Sequence, residues 1–212
     1  MQIQIAEIPI RNVLHFLGWH GTPLNTKWLD EIQKLTEDVK DKLRPQAIIH
    51  PFFLEADGRL SGTIFSPKGK DVQKLLTGCK EVLLLAATLG TDSERMLLQA
   101  RTPQQELLLD AVLSAAIEAV CDQLENEFRT RMNGLYVTDR FSPGYGDMPM
   151  EQSREICAVL AADRTIGLSI TANGIMIPRK SVTAILGISN TPVIRRPNGC
   201  PNCRADCPIR EK

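Results

Sequence analysis

Apolar and polar positions along this chain change period several times, and each change marks an element. Residues 9–17 (PIRNVLHFL) follow an extended lead and predict a short helix stopped at Gly18. Asn25 or Thr26 can cap a second helix, and the Arg44-Pro45 step ends it. Within it Leu29, Ile32, Leu35, Thr36, Val39 and Leu43 recur at helical spacing, while the other face is rich in Lys, Asp and Glu. The runs 47–54 and 60–65 flank Asp57-Gly58 and predict a hairpin, with Pro51 confining the first run to an edge or a break. Residues 71–76 predict a short helix closed by Gly78. VLLLAATLG (82–90) is apolar at consecutive positions and reads as a buried strand. Thr91-x-x-Glu94 after it has the capping-box pattern.

The strongest helix signal comes next. Thr102 is a good cap, Pro103 suits the first helical position, and Gln105 stands three residues after the cap. No Gly or Pro interrupts the Leu-, Ala- and Glu-rich stretch from Pro103 to about Met132, and Gly134 is a stop. Such a helix would be ~45 Å long and serve as the spine of the fold. The segment TDRFSPGYGDMP (138–149) predicts a turn-rich loop, and a helix follows near 150–162. LSITANGIMI (168–177) predicts a hairpin turned at Asn173-Gly174, two residues that tolerate positive φ. SVTAILGIS (181–189) predicts a further strand. Strands in hairpins, with helices between them in no regular alternation, predict an α+β fold: a mainly antiparallel twisted sheet, flanking helices and one long central helix. Residues 1–190 form the expected single domain, and 191–212, rich in Pro, Arg, Asn, Gly and Cys, form a tail.

Composition narrows the function classes. Of 212 residues 43% are apolar and 24% charged, as in a globular protein with a full core. The 25 basic side chains balance the 25 acidic ones, which argues against a nucleic-acid partner. The longest uninterrupted apolar stretch, 82–87, is far short of a membrane span, so no membrane association is expected. The start has no basic segment and no long apolar run, which makes the cytoplasm the expected location.

Most catalytic signatures are missing. There is no Gly-x-Gly-x-x-Gly, no phosphate loop, no Gly-x-Ser-x-Gly elbow and no His-Glu-x-x-His; His15, His20 and His50 are scattered. Paired carboxylates occur only on helix faces, where solvation accounts for them. Two segments carry chemistry. One is 140–147, RFSPGYGD. Its glycines allow close backbone approach, Arg140 can grip a carboxylate with two parallel hydrogen bonds, and Tyr145 offers a ring and a hydroxyl. Ser142-Pro143-Gly144 is equally an ordinary turn. The other is Cys200-x2-Cys203-x3-Cys207-Pro208, the spacing of the last three cysteines of a bacterial ferredoxin run. Cys200, Cys203 and Cys207 suit zinc or an iron–sulfur cluster, with Cys157 or a His available as a fourth ligand; free thiols and a disulfide stay open as alternatives.

The stretch RFSPGYGDMP, a helix, then IGLSITANGIMIPRKSVTAI resembles the activation (reactivation) domain of cobalamin-dependent methionine synthase. That family shows Arg-x-x-x-Gly-Tyr, a short helix and a strand pair, matched here by Ile170-Thr171, Met176, Pro178, Ser181 and Val182. The N-terminal part, with VLHFLGWHG and LLLAATLG, looks more like small stand-alone relatives of the domain. The resemblance implies a methionine synthase activation domain-like fold that binds S-adenosylmethionine. It implies methyl transfer to cob(II)alamin on a partner protein, one electron coming from a reductase, to give methylcobalamin. Arg140 would hold the ligand's methionine carboxylate, Phe141, Ser142, Pro143 and Gly144 would give backbone contacts, and Tyr145 would join them. Glu118 is the helix glutamate that aligns best.

This chain departs from the longer family form. It turns into Thr191-Pro192 where that form has a Tyr-rich strand, and it offers no match for that form's acidic residue near the start. It also lacks the cobalamin-binding Asp-x-His-x-x-Gly, so the cobalamin would come on a cobalamin-binding methionine synthase or another corrinoid protein. A flavodoxin-like or ferredoxin-like reductase is a further expected partner. Within 179–212, Arg179, Lys180, Arg195, Arg196, Arg204, Arg210 and Lys212 face only Asp206 and Glu211, a basic end that could steer an acidic reductase. The alternative is an accessory module that docks on a corrinoid protein of another methyl-transfer system, without S-adenosylmethionine activity, using the tail for metal or redox function.

Overall fold

In a computed structural model of the chain, residues 1–19 and 25–193 are described. The predicted buried strand is β2 (Cys79–Thr88), and every residue from Val82 to Thr88 is buried. An apolar strand with no solvent face needs cover on both sides, and this one has it. Its neighbours are β1 (Gln46–Phe53) and β6 (Ser181–Ser189), both antiparallel, and the short β3 (Tyr136–Val137) extends β6. The order is β1-β2-β6-β3. Cross-strand pairs such as Leu83↔Leu186 and Leu84↔Ile185 point to opposite faces and so seed two cores.

One core holds Leu83, Leu85, Ala87, Ala184, Leu186 and Ile188 under the larger helices. These are α1 (Ile10–Phe16), α2 (Thr26–Lys42), α4 (Thr91–Leu98) and the long α5 (Pro103–Arg131). Helix α5 contributes an unbroken series of small and medium apolar residues, with Val112, Leu113, Ala115, Ala116, Val120 and Cys121 fully buried. Thr102 caps it as expected, its side chain accepting from the Gln105 N–H at 3.2 Å. Asn25 caps α2 in the same way, accepting from Lys27.

The other core lies beneath Val82, Leu84, Ala86 and Ile185 and is covered by smaller pieces. These are α3 (Lys70–Leu75), α6 (Gln152–Val159), α7 (Ala162–Ile166) and the hairpin of β4 (Ser169–Ile170) with β5 (Met176–Ile177). The predicted α+β class, antiparallel sheet and central helix all hold.

Four local expectations change. The 47–54/60–65 hairpin does not form as such. Strand β1 spends its pairing on β2, from Gln46↔Thr88 to Phe53↔Glu81, and only a Leu54↔Leu60 bridge joins the two runs. Leu60 and Phe65 instead plug the second core. Pro51 does sit on an edge strand, as expected. Second, the helix near 150–162 breaks at Ala161, which adopts φ 48°. The bend turns Ile156 and Leu160 of one piece and Ala162 and Ile166 of the other onto the same core. Third, Thr91 is the first helical residue of α4, not its cap; Gly90 takes the cap position and Glu94 pairs with Arg179. Fourth, in the β4–β5 turn Gly174 alone takes positive φ, while Asn173 does not.

Replacing Thr102 with Ala removes the cap of the longest helix and should lower unfolding stability by about 1 kcal/mol. Leu113→Ala opens a cavity under the sheet and should lower it by roughly 3 kcal/mol. Urea unfolding checks both through the midpoint at unchanged slope; equal effects of the two variants would contradict this division of stability.

Candidate functional site

The loop that follows β3 is where sheet and long helix meet. The segment from Tyr136 runs beside β6, with Tyr136↔Ser189, Val137↔Ile188 and the Thr138 N–H on Gly187 O. Pairing resumes at Phe141, which exchanges both backbone hydrogen bonds with Ile185 at 2.8 Å. Three steps along this segment therefore oppose two steps along β6, so one extra residue is bulged out at 139–140. A bulge re-aims the side chain it carries. Arg140 is one of these two residues, and it points onto α5.

Three carboxylates of α5 receive it. Arg140 Nη2 donates to Glu118 at 2.5 Å, and Nη1 donates to Asp122 at 2.7 Å and to Glu125 at 2.9 Å. Arg129 joins the group: its Nη2 donates to Glu125 at 2.5 Å and to the Thr138 carbonyl at 2.7 Å, and lies 3.7 Å from Asp139. Residues 118, 122, 125 and 129 repeat at intervals of four, three and four, which is one stripe along a helix. Arg140 and Arg129 are each 16% exposed, Glu125 9%, Glu118 35% and Asp122 53%. The cluster is thus closed on the Glu125 side and open on the Glu118 and Asp122 side.

Burial works against the Arg140 charge, but the surrounding carboxylates outweigh it and hold its proton more tightly than in an ordinary arginine. Cys121, between these acids and wholly buried, is pushed up to about 12 by desolvation and stays a thiol at neutral pH. Two arginines here face four carboxylates, so the site is formally acidic.

The rest of the loop is tied to the protein itself. The N–H groups of Phe141, Gly144 and Tyr145 bond to Ile185, Met148 and Ser142 carbonyls. The two glycines do allow close approach, but what approaches is protein: a Cβ on Gly144 would lie 3.0 Å from Met150 Sδ, and one on Gly146 would collide with the Asp71 carboxylate. Asp147 clamps the loop's end to α3, accepting from the Lys70 and Asp71 N–H groups at 2.7 and 3.0 Å. Those backbone donors hold its carboxyl below the usual range.

The predicted site residues are therefore contiguous but differently exposed. Arg140 and Glu118, 22 residues apart, are in contact. Phe141 and Pro143 are buried, and Tyr145 is half exposed. Asp122, Glu125 and Arg129 are additions from the structure, and Asp147, already in the candidate loop, gains its role as a clamp on α3. Solvation does not account for the acids of this α5 stripe: Asp122 and Glu125 hold Arg140 together with Glu118. Their signal was an acidic stripe at helical spacing on a helix otherwise built for burial. Asp122 also lines a cleft of about 560 Å3 that runs along α5 beside Ala6, Glu7 and Pro9.

Cys200, Cys203 and Cys207 lie outside the described residues. Among the described residues no group of three or more His, Cys, Asp or Glu could hold a metal ion. Cys79, Cys121 and Cys157 are free thiols there. Of the basic end, Arg179 is paired with Glu94 and Lys180 with Asp110 and Ser114, so these two are engaged within the domain. No described helix is long and apolar enough to cross a membrane.

The three-layer arrangement defines the class: this is the fold of the methionine synthase reactivation domain. The chain is similar to the crystal structure of the MetH reactivation domain bound to AdoHcy, at a TM-score of 0.54 and 15% sequence identity, covering 92% of this chain and 79% of that one. No family model matches the chain, and no curated protein matches it.

The Asp147 clamp makes a pH-dependent prediction. Its carboxyl is depressed in the folded state, so its stabilisation is present above the ordinary value of 3.8 and is lost as pH falls through the lower folded value. Thermal unfolding of Asp147→Asn should show a lower melting temperature than wild type at neutral pH and a gap that closes at low pH. A gap that stays constant down to low pH would show that charge at this position is irrelevant.

Proposed function

We propose that this chain is a stand-alone reactivation subunit that binds S-adenosylmethionine beside Arg140 and serves a cobalamin-dependent methionine synthase. The observation that carries the reading is the contact of Arg140 with Glu118 and Asp122 on the open side of an acidic cluster. A guanidinium flanked by carboxylates is complementary to a zwitterion. The methionine part of S-adenosylmethionine has one carboxylate and two cationic centres, the α-ammonium and the sulfonium. Its carboxylate would replace Glu118 and Asp122 on Arg140, and the freed acids would face the cationic centres. The adjoining cleft at Asp122 has a volume in the range of small-ligand pockets, room for the adenosyl group. The likeness of fold to a domain solved with AdoHcy supports the same ligand class.

When bound, this ligand supplies an electrophilic methyl group. The protein's part is to orient it toward the cobalt of a cobalamin on the partner. Cob(II)alamin, one electron from a reductase and the methyl cation of the sulfonium give methylcobalamin and S-adenosylhomocysteine. Glu118 and Arg140 are assigned this role together with Tyr145, whereas the N–H groups of Phe141, Gly144 and Tyr145 are already bonded within the protein, the first to β6 and the other two within the 142–148 segment. That closed backbone favours the second reading, a corrinoid-protein-binding module without S-adenosylmethionine activity. In either reading, zinc or an iron–sulfur cluster on Cys200, Cys203 and Cys207 is one proposal for the tail, with free thiols and a disulfide as its alternatives.

Calorimetric titration separates the two. Wild type should take up one S-adenosylmethionine per chain. Arg140→Ala should weaken binding about tenfold or more while the domain stays folded. S-adenosylhomocysteine, which lacks the sulfonium charge, should bind less tightly, and Glu118→Gln should narrow that difference. No heat with wild type, alone or with a cobalamin-loaded methionine synthase, removes the first reading; wild-type affinity in Arg140→Ala removes the site.

A further inference from the structure

Glu125 differs from the other two acids around Arg140. Its side chain is 9% exposed, and each of its oxygens bonds a different arginine, Oε1 to Arg129 and Oε2 to Arg140. A carboxylate this buried is tolerated only when paired and hydrogen-bonded. Here two guanidiniums satisfy it and lock its rotamer from both sides. Arg129 carries the constraint further, because the same Nη2 holds the carbonyl of Thr138, two residues before Arg140. Its buried Nε has no hydrogen-bond partner among the described residues, so Arg129 is anchored through its terminal nitrogen alone. The chain of contacts runs from the loop backbone at Thr138, through Arg129 and Glu125, to the Arg140 guanidinium.

We infer that Glu125 is the positioning residue of this site: it fixes Arg140 from the buried side, so that ligand exchange takes place only at the exposed Glu118 and Asp122. The inference rests on the proposed ligand reading for its consequence, but its geometry is independent of any ligand. The three carboxylates then have two jobs. Glu118 and Asp122 are displaceable partners of the guanidinium. Glu125 stays in place when they leave, which spares the cluster a buried, unpaired arginine.

The test uses nitrogen-detected NMR of the Arg140 guanidinium, assigned by its disappearance in Arg140→Lys. Rotation about Nε–Cζ is slow when the terminal nitrogens are held and fast when they are released. In ligand-free protein, wild type and the double variant E118Q/D122N, in which Glu125 is the carboxylate left on Arg140, should both show slow rotation, and adding E125Q to that double variant should give averaged signals. Because E125Q leaves two buried arginines without their shared partner, E125Q/R129Q is the second variant; it removes one charge of each sign and, placed in the E118Q/D122N background, should also release Arg140. S-adenosylmethionine should bind about tenfold more weakly, or worse, to E125Q/R129Q. Slow rotation retained in both Glu125 variants overturns the inference, as does release by E118Q/D122N instead. Release in the Glu125 variants supports it even where wild type takes up no S-adenosylmethionine, an outcome that overturns only the functional reading.

Discussion

Strand β2 presents Leu, Val and Ala to both of its faces and has no face left for water. Each such side chain gains roughly 1.5–3 kcal/mol from burial, so the strand must be covered twice. This double cover fixes the three layers: α1, α2, α4 and α5 on one side, α3, α6 and α7 on the other. It also decides where chemistry can occur. Helix α5 lies under the sheet, β3 lies at the sheet's edge, and the chain after β3 must cross the seam between the two cores. Phe141 enters one core while Arg140, its neighbour, reaches the helix that covers the other.

At that seam electrostatics takes over from packing. Arg140 is too buried to be left alone and too close to α5 to be solvated, so the helix supplies carboxylates along one stripe. The stripe grades from enclosed to open, from Glu125 through Glu118 to Asp122. In the proposed function, a fixed charge at one end and exchangeable charges at the other would make a binding group oriented before a ligand arrives, which would lower the cost of ordering it on binding. The formal excess of acid would favour, in the proposed function, a ligand with a net positive charge.

The loop RFSPGYGD uses its special residues mostly to hold itself. Its glycines admit Met150 and Asp71, its N–H groups turn inward, and Asp147 caps α3. The proposed ligand would therefore meet side chains here more than backbone. Fold likeness at 15% identity carries the architecture and not the contact set, so the proposed zwitterionic ligand of net positive charge follows from the charges of this chain.

Periodicity was enough to read α1, α2, α5, β2 and β6, because a dry strand and a capped, Gly-free helix leave strong local patterns. The Thr102 cap and the edge position of Pro51 followed from backbone chemistry for the same reason. The partner of β1 was misread, since a nearby turn suggested residues 60–65 while pairing with β2 covered more apolar surface. The break at Ala161 left no mark, because an alanine in left-handed geometry is chosen by what its flanking helices bury. The site divides in the same way. Residue type made Arg140 a candidate, and the family resemblance, not residue type, added Glu118. Only the tertiary structure added Asp122, Glu125 and Arg129, and only it distinguished the buried carboxylate from the open ones. Charge partners 15 to 22 residues apart are set by where a bulge at a sheet edge aims one side chain, and that direction is a property of strand pairing.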